Sequence, residues 1–314
     1  MDVLKNVKNF IVKNKTPDKK QSQPIIFAEA PICFYDRFTT ISALLDQNLL
    51  KFISYLHEND FNSLKIYSRT QNRISFDTKS EYWIIKPLKV AQSSIKAAED
   101  SCNHIDMEVD SKSKPFDILK EKNQKFISLF RNPYERAKSQ LNFINEMINR
   151  SYRVQFDDWH YFKESFGICP DSHSYPQVFF IPFEINGNFF KQVAGEFIKA
   201  KDSLPANPNY TLLTSTIRKA LQNLDYTQIL KESNHEYTYI LIEPGAKPVQ
   251  TLFKDYLNVE STPYNLSRVL NRSSNNLNID VYNPEFSDWV EKVFACDVNF
   301  FNYLKEEGYF RKKK

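Results

Sequence analysis

Apolar positions along the chain follow two rhythms, and these predict its elements. Residues 40–57 set Ile41, Leu44, Leu45, Leu49, Phe52, Ile53 and Leu56 on one stripe of a 3.6-residue period, a helix signature. Two β-like runs follow at 63–68 and 73–77. Trp83-Ile84-Ile85 is a short, continuously apolar run of the kind that forms a strand covered on both faces. Lys125–Phe130 and Tyr237–Glu243 are two more such runs. After the second run, Asn132 suits a helix N-cap and Pro133 a first helical residue. The spacing therefore predicts a helix to Arg150 with Ala137, Leu141, Ile144 and Ile148 facing inward. Further helices are predicted from Ile95, at 116–122, 155–166, 188–201, 213–232 and 248–257, and a last amphipathic one spans 284–306. Residues 170–182 read as a loop entering a short apolar run, and 262–281 as an Asn/Ser-rich loop.

Three short apolar strands alternating with helices predict an α/β fold with a central, mostly parallel sheet flanked by helices. Nothing repeats and no linker divides the chain, so residues 25–314 are expected to form one domain. Residues 1–24, rich in Lys, Asn and Gln, read as a flexible basic arm.

Composition narrows the function classes. Aromatics make up 15% of the 314 residues, enough for a sizeable core. Net charge is only +4 and the pI about 8.6, without the clustered bases of a nucleic-acid binder. Cys33, Cys102, Cys169 and Cys296 are scattered, so neither a disulfide framework nor a thiolate zinc site is expected. No run approaches the ~20 apolar residues of a membrane helix, and the N-terminus lacks a signal peptide's apolar stretch. A cytoplasmic protein without a transmembrane segment is the expectation; the oligomeric state is not legible.

The chemistry begins in the loop after the first apolar strand. Lys89-Val90-Ala91-Gln92-Ser93-Ser94-Ile95 joins that strand to a helix. A helix start offers unpaired N–H groups and the positive end of its dipole. Lys89 adds a point charge, and Ser93 and Ser94 add hydroxyl donors. The five glycines lie too far apart for a dinucleotide fingerprint or a Walker loop, so this phosphate loop is built without glycine. A second feature is Arg131, at the carboxyl end of the next strand, where open α/β sheets bind ligands. Its planar fork suits a phosphate dianion, and Ser139, two helical turns on, can donate to the same group. An ordinary strand-to-helix turn with a capping arginine would look the same.

As a pair, these motifs resemble a family. K-V-A-x-S-S-I-K, about forty residues before F-R-N-P-Y-E-R-x-x-S, is similar to sulfotransferases that use 3′-phosphoadenylyl sulfate (PAPS), closest to the carbohydrate-type branch and its bacterial relatives. The resemblance spans residues 73–314. It continues in D-S-H-S-Y-P-Q (Asp171–Gln177), in the strand Tyr237–Glu243, in Leu270–Ser274 and in the ending Asp297–Tyr309. Leu88 stands where the family usually has proline, and Ala91 where its cytosolic small-molecule members have glycine. Residues 25–72 match no familiar pattern.

The resemblance implies a P-loop-kinase-like sulfotransferase fold that takes PAPS as donor, releases adenosine 3′,5′-bisphosphate (PAP) and needs no metal. It assigns Lys89, Val90, Ala91, Gln92, Ser93, Ser94 and Ile95 to the 5′-phosphosulfate. Arg131 and Ser139 take the 3′-phosphate, with Arg272 and Ser273, beside Arg268 and Ser274, in a covering loop. Lys89 would also neutralise the leaving oxygen. The acceptor would be a sugar or small-molecule hydroxyl or amine.

A general base is needed to take the acceptor proton. His104, between the two nucleotide motifs, is the first candidate and His173 the second; Glu99, Asp100, Asp106 and Glu108 are carboxylate alternatives. Glu243 is a further candidate for orienting substrate, and Trp83, Phe130 or Tyr134 for stacking on adenine. A nucleotide-dependent small-molecule kinase, or a non-catalytic nucleotide- or sugar-binding protein of this fold, are the competing expectations.

Overall fold

The computed structural model describes residues 38–39, 74–77, 79–87, 89–99, 105–106, 123–166, 174–181, 183–184, 192, 195–196, 199–200, 202–205, 210–242, 248–258 and 277–310. The predicted helices at 40–57 and 116–122 and the strand at 63–68 lie outside these residues.

The central sheet is mixed. Its strands are β2 (Ile74–Asp77), β3 (Tyr82–Ile85), β4 (Ile105–Asp106), β5 (Lys125–Arg131) and β7 (Glu236–Ile242), in spatial order β4-β2-β3-β5-β7. The three apolar runs read from the sequence are its parallel part: β3 pairs β5 and β5 pairs β7, both parallel. β2 pairs antiparallel with β3 and with β4, which corrects the expectation of a mostly parallel sheet. Only four residues separate Asp77 from Tyr82, too few for a crossover, so this connection has to be a hairpin. Asp77 closes it by accepting from the Lys79 and Ser80 backbone N–H groups, both at 3.2 Å, and Glu81 takes the left-handed conformation at φ 59°. Two short strands, β1 (Phe38–Thr39) and β6 (Phe183–Glu184), form a separate antiparallel pair.

Both faces of the parallel strands are covered, which is why they read as unbroken apolar runs. On one face Trp83, Ile85, Phe126, Phe130, Tyr237 and Tyr239 meet the 3₁₀ turn Gln177–Phe180, helix Tyr226–Lys231 and the last helix, Ala295–Glu306. On the other, Ile84, Ile127, Leu129 and Ile240 meet α1 (Gln92–Glu99) and the segment Pro248–Tyr256. The alternation along each strand is the period of two that a pleated backbone imposes.

Helix α2 (Pro133–Tyr152) starts as its cap predicts: the Asn132 side chain accepts from the Tyr134 backbone N–H at 3.0 Å and Pro133 opens the first turn. Ala137, Leu141 and Ile148 are buried, and Ile144 is partly buried, in a second core. There they meet α3 (His160–Phe166) and the helix Pro284–Val293.

Three predicted helices break. Residues 213–232 split into α4 (Tyr210–Leu221) and α5 (Tyr226–Lys231), where the Asp225 side chain caps the Thr227 and Gln228 N–H groups. Residues 248–257 become one α turn, α6 (Pro248–Thr251), followed by a π turn over Leu252–Tyr256. Residues 284–306 split into α7 (Pro284–Val293) and α8 (Ala295–Glu306) at Phe294, whose φ of −127° leaves the helix. Phe294 is buried against Phe166 and Trp289, so packing rather than propensity sets that break. Among the described residues no helix is long and apolar enough to cross a membrane, and Cys296 is a buried free thiol.

Candidate functional site

Parallel pairing decides where the two motifs meet. Ile85 of β3 lies opposite Ser128 of β5, so both strands run out at the same edge of the sheet. The Lys89 loop leaves β3 there, and β5 extends three residues beyond Ser128 to Arg131. Two basic side chains forty-two positions apart are thereby delivered to one carboxyl edge.

The loop reaches α1 through two left-handed residues, Lys89 at φ 63° and Ala91 at φ 54°. In this conformation the carbonyl of Ala91 accepts from both the Ser94 and the Ile95 N–H, each at 3.0 Å, and the helix begins. Those two N–H groups are therefore engaged within the helix turn. Ser94 is buried, and the Ile95 side chain sits in the core with Val90 and Ala98. Gln92 and Ser93 occupy the first helical positions, whose N–H groups have no intrahelical acceptor by geometry. A left-handed non-glycine residue costs on the order of 1 kcal/mol. Replacing Ala91 by glycine is thus expected to stabilise the protein by roughly 1 kcal/mol and raise the melting temperature by about 2 °C, read by thermal unfolding.

Behind the loop, Lys86 and Glu99 form a buried ion pair at 2.8 Å, and the Ser75 hydroxyl donates to the same carboxylate. The pair ties the end of β3 to the end of α1 and so spans the loop. It also removes Glu99 from the candidate bases, because its side chain is sealed from any acceptor.

Lys89 lies across α2. Its Nζ sits 4.1 Å above the centre of the Phe143 ring, a cation–π contact. Glu135, Ser139, Phe143 and Glu146 follow one another at helical spacings of four, four and three, so they share one half-buried face of α2. Arg131 sits at the start of this stripe, with Nη2 3.8 Å from Glu135. Lys89, Arg131 and Ser139 are thus gathered along a single helix face.

Electrostatics reflects the gathering. The Lys89 ammonium is lowered from its ordinary 10.5 to about 8, chiefly by partial burial and then by the Arg131 and Arg136 charges, against the opposing pull of Glu146. Burial also lowers the Arg131 guanidinium, partly offset by Glu135. A partly buried cation among other cations is stabilised by any oxyanion placed beside it. Because the folded value lies below 10.5, the unfolded chain binds more protons between about pH 8 and 10.5, and stability rises with pH through that window. By the same linkage, anion binding at about pH 8 is expected to draw a proton onto Lys89. Calorimetry in buffers of different ionisation enthalpy measures that uptake; persistence of the uptake in Lys89→Met would assign it elsewhere.

The arginine strand end is fastened by a residue that sequence reasoning had placed only within a motif. The Gln177 side chain accepts from the Arg131 N–H at 3.2 Å and donates to the Arg131 carbonyl at 2.7 Å. The backbone N–H groups of Gln177 and Val178 in turn donate to Asp297 on α8, at 2.8 and 2.9 Å. Asp297 pairs with Arg136 at 3.3 Å, and Arg136 reaches the Tyr175 carbonyl at 2.7 Å. Burial brings the Arg136 guanidinium down to about 10 despite Asp297, and pushes the Asp297 carboxyl up despite Arg136. The cost of burying these charges exceeds their mutual attraction.

Of the aromatic candidates for stacking, Trp83 and Phe130 are fully buried in the sheet's core. Tyr134 is partly exposed; its hydroxyl donates to Glu291 at 3.0 Å and is pushed up to about 12, chiefly by burial. Asp106 is placed by its backbone in β4. His104, His173, Asp100, Glu108, Glu243, Arg268, Arg272, Ser273 and Ser274 lie outside the described residues. Among the described residues no group of three or more His, Cys, Asp or Glu is arranged to hold a metal ion. Scanned against models of protein families, against curated proteins and against solved structures, the chain matches none.

Proposed function

We propose that the protein is a sulfotransferase that moves the sulfuryl group of PAPS to a hydroxyl or amine of a carbohydrate or small-molecule acceptor. The observation that carries this reading is the convergence of Lys89 and Arg131 at one carboxyl edge of adjacent parallel strands, along the α2 face that bears Ser139. The P-loop-kinase-like sulfotransferase fold is the finer form of the α/β architecture that goes with it.

The residues fit a donor with two separated anionic ends. The Lys89 loop and the start of α1 suit the 5′ end: Lys89 brings a cation, and the first turn of α1 brings N–H groups. Arg131 and Ser139 suit the 3′-phosphate, with Arg272 and Ser273 as further candidates. When bound, the donor supplies an SO₃ group on a phosphate oxygen. Lys89 neutralises that oxygen as its bond to sulfur breaks. A base, His104 or His173, removes the acceptor proton while the acceptor's oxygen or nitrogen bonds to sulfur from the opposite side. Cations and helix N–H groups provide the positive field, so no step calls on a metal.

Isothermal titration of the full chain with PAP and with ATP tests the reading. PAP is expected to bind and ATP to bind far more weakly. Tight ATP binding without PAP binding would return the protein to the kinase class.

A further inference from the structure

We infer that Gln177 is a positioning residue for Arg131, holding both backbone groups of that strand end as a strand neighbour would and setting the direction from which that arginine addresses an anion. The inference rests on the donor reading above, because it gives Arg131 the 3′-phosphate.

In a parallel sheet the N–H and C=O of any one residue point to the same neighbouring strand. β3 ends at Ile85, opposite Ser128, whereas β5 continues to Arg131. On its other side β5 stays paired to the end, with Arg131 opposite Ile242 of β7. Among the described residues β3 does not pair with β5 beyond Ser128, and the backbone of Arg131 is met on that flank by Gln177. A primary amide carries both an acceptor and a donor, so it can satisfy both backbone groups of one residue. Gln177 does this, with its side chain fully buried. An ionised carboxylate of similar reach can only accept, and a hydroxyl carries its donor and acceptor on a single atom, whereas the amide sets them on two atoms.

Gln177 is itself immobilised. Its own N–H and that of Val178 are held by the two oxygens of Asp297, and Arg136 ties Asp297 and the Tyr175 carbonyl to α2. Arg136 and Arg131 flank Asn132 and Pro133 at the start of α2, so the loop of 174–178 is clipped to both sides of the strand-to-helix turn. The Arg131 guanidinium is still partly exposed at that turn. The clip thus fixes the backbone of Arg131 and leaves its fork available.

The test is a thermodynamic cycle on the full chain with Gln177→Met, Arg131→Ala and the double variant, titrated with PAP and with AMP, which lacks the 3′-phosphate. Gln177→Met keeps shape and removes both side-chain bonds; it is expected to weaken PAP about tenfold while leaving AMP within about twofold. Arg131→Ala is expected to weaken PAP about 100-fold, and the double variant to match Arg131→Ala alone, because Gln177 acts only through Arg131. Wild-type PAP affinity in Gln177→Met, or losses that add in the double variant, would overturn the inference with the donor reading intact. Unchanged PAP affinity in Arg131→Ala would remove the donor reading itself. If Gln177→Met unfolds, Gln177→Glu retains the size and the main-chain bonds but turns an acceptor toward the Arg131 carbonyl. It too is expected to lose PAP affinity selectively, and wild-type affinity there overturns the inference.

Discussion

Lys89→Met is expected to lower sulfuryl transfer by about 10²–10³-fold while weakening the donor PAPS by no more than about tenfold, read as kcat against the PAPS dissociation constant. The asymmetry follows from where charge develops. In bound PAPS the bridging oxygen still carries little charge, so the ground-state complex needs Lys89 only modestly. The bridging oxygen becomes anionic as sulfur leaves it, and a preorganised cation in a partly desolvated site acts mainly then. Lys89 meets both conditions: it is partly buried, and the Phe143 ring and the face of α2 hold it. Arg131→Ala is expected to give the opposite signature, a large loss of PAP affinity, because its charge meets a group that does not react. A loss of PAPS affinity with kcat unchanged for Lys89→Met would reduce that lysine to a binding residue.

Asp297→Ala is expected to destabilise the fold by about 3–5 kcal/mol, measured by denaturant unfolding, because it takes the carboxylate away from a buried guanidinium. The carboxylate also accepts from two backbone N–H groups, of Gln177 and Val178, which the variant orphans together. Arg136 is buried with Asp297, and burial already pulls its charge toward neutrality, so little solvent is at hand to compensate. An apolar pair, Arg136→Met with Asp297→Leu, is expected to recover part of the loss, since burying the two charges costs more than their attraction returns. A change below about 1 kcal/mol in Asp297→Ala would show that the buried pair is dispensable.

Local signals were read correctly where local physics governs. Asn132-Pro133 starts α2 because a cap and a preset φ act within one turn. The runs at β3, β5 and β7 became parallel strands because both of their faces are covered. The single helices expected over 213–232 and 284–306 were misread for two different reasons. Asp225 is a legible cap inside an otherwise helical period, and its two N–H bonds restart the chain. Phe294 carries no local sign of a break; its ring is wanted between Phe166 and Trp289, and the backbone follows it. The hairpin of β2 and β3 was legible in the four residues that join them, a length that admits no crossover.

The candidate site divides along the same line. The residue types, Lys89 in a loop before a helix and Arg131 at a strand end, were determined by the sequence alone, because strand-loop-helix order and side-chain chemistry are properties of short segments. That this glycine-free loop turns through left-handed Lys89 and Ala91 was decided by the tertiary structure, as was the docking of Lys89 on Phe143 and the fastening of Arg131 by Gln177 and Asp297. These contacts join residues 46 to 120 positions apart. No local propensity encodes such a pairing; it exists only once the parallel register sets both loops on one edge and burial forces each polar group there to find its partner.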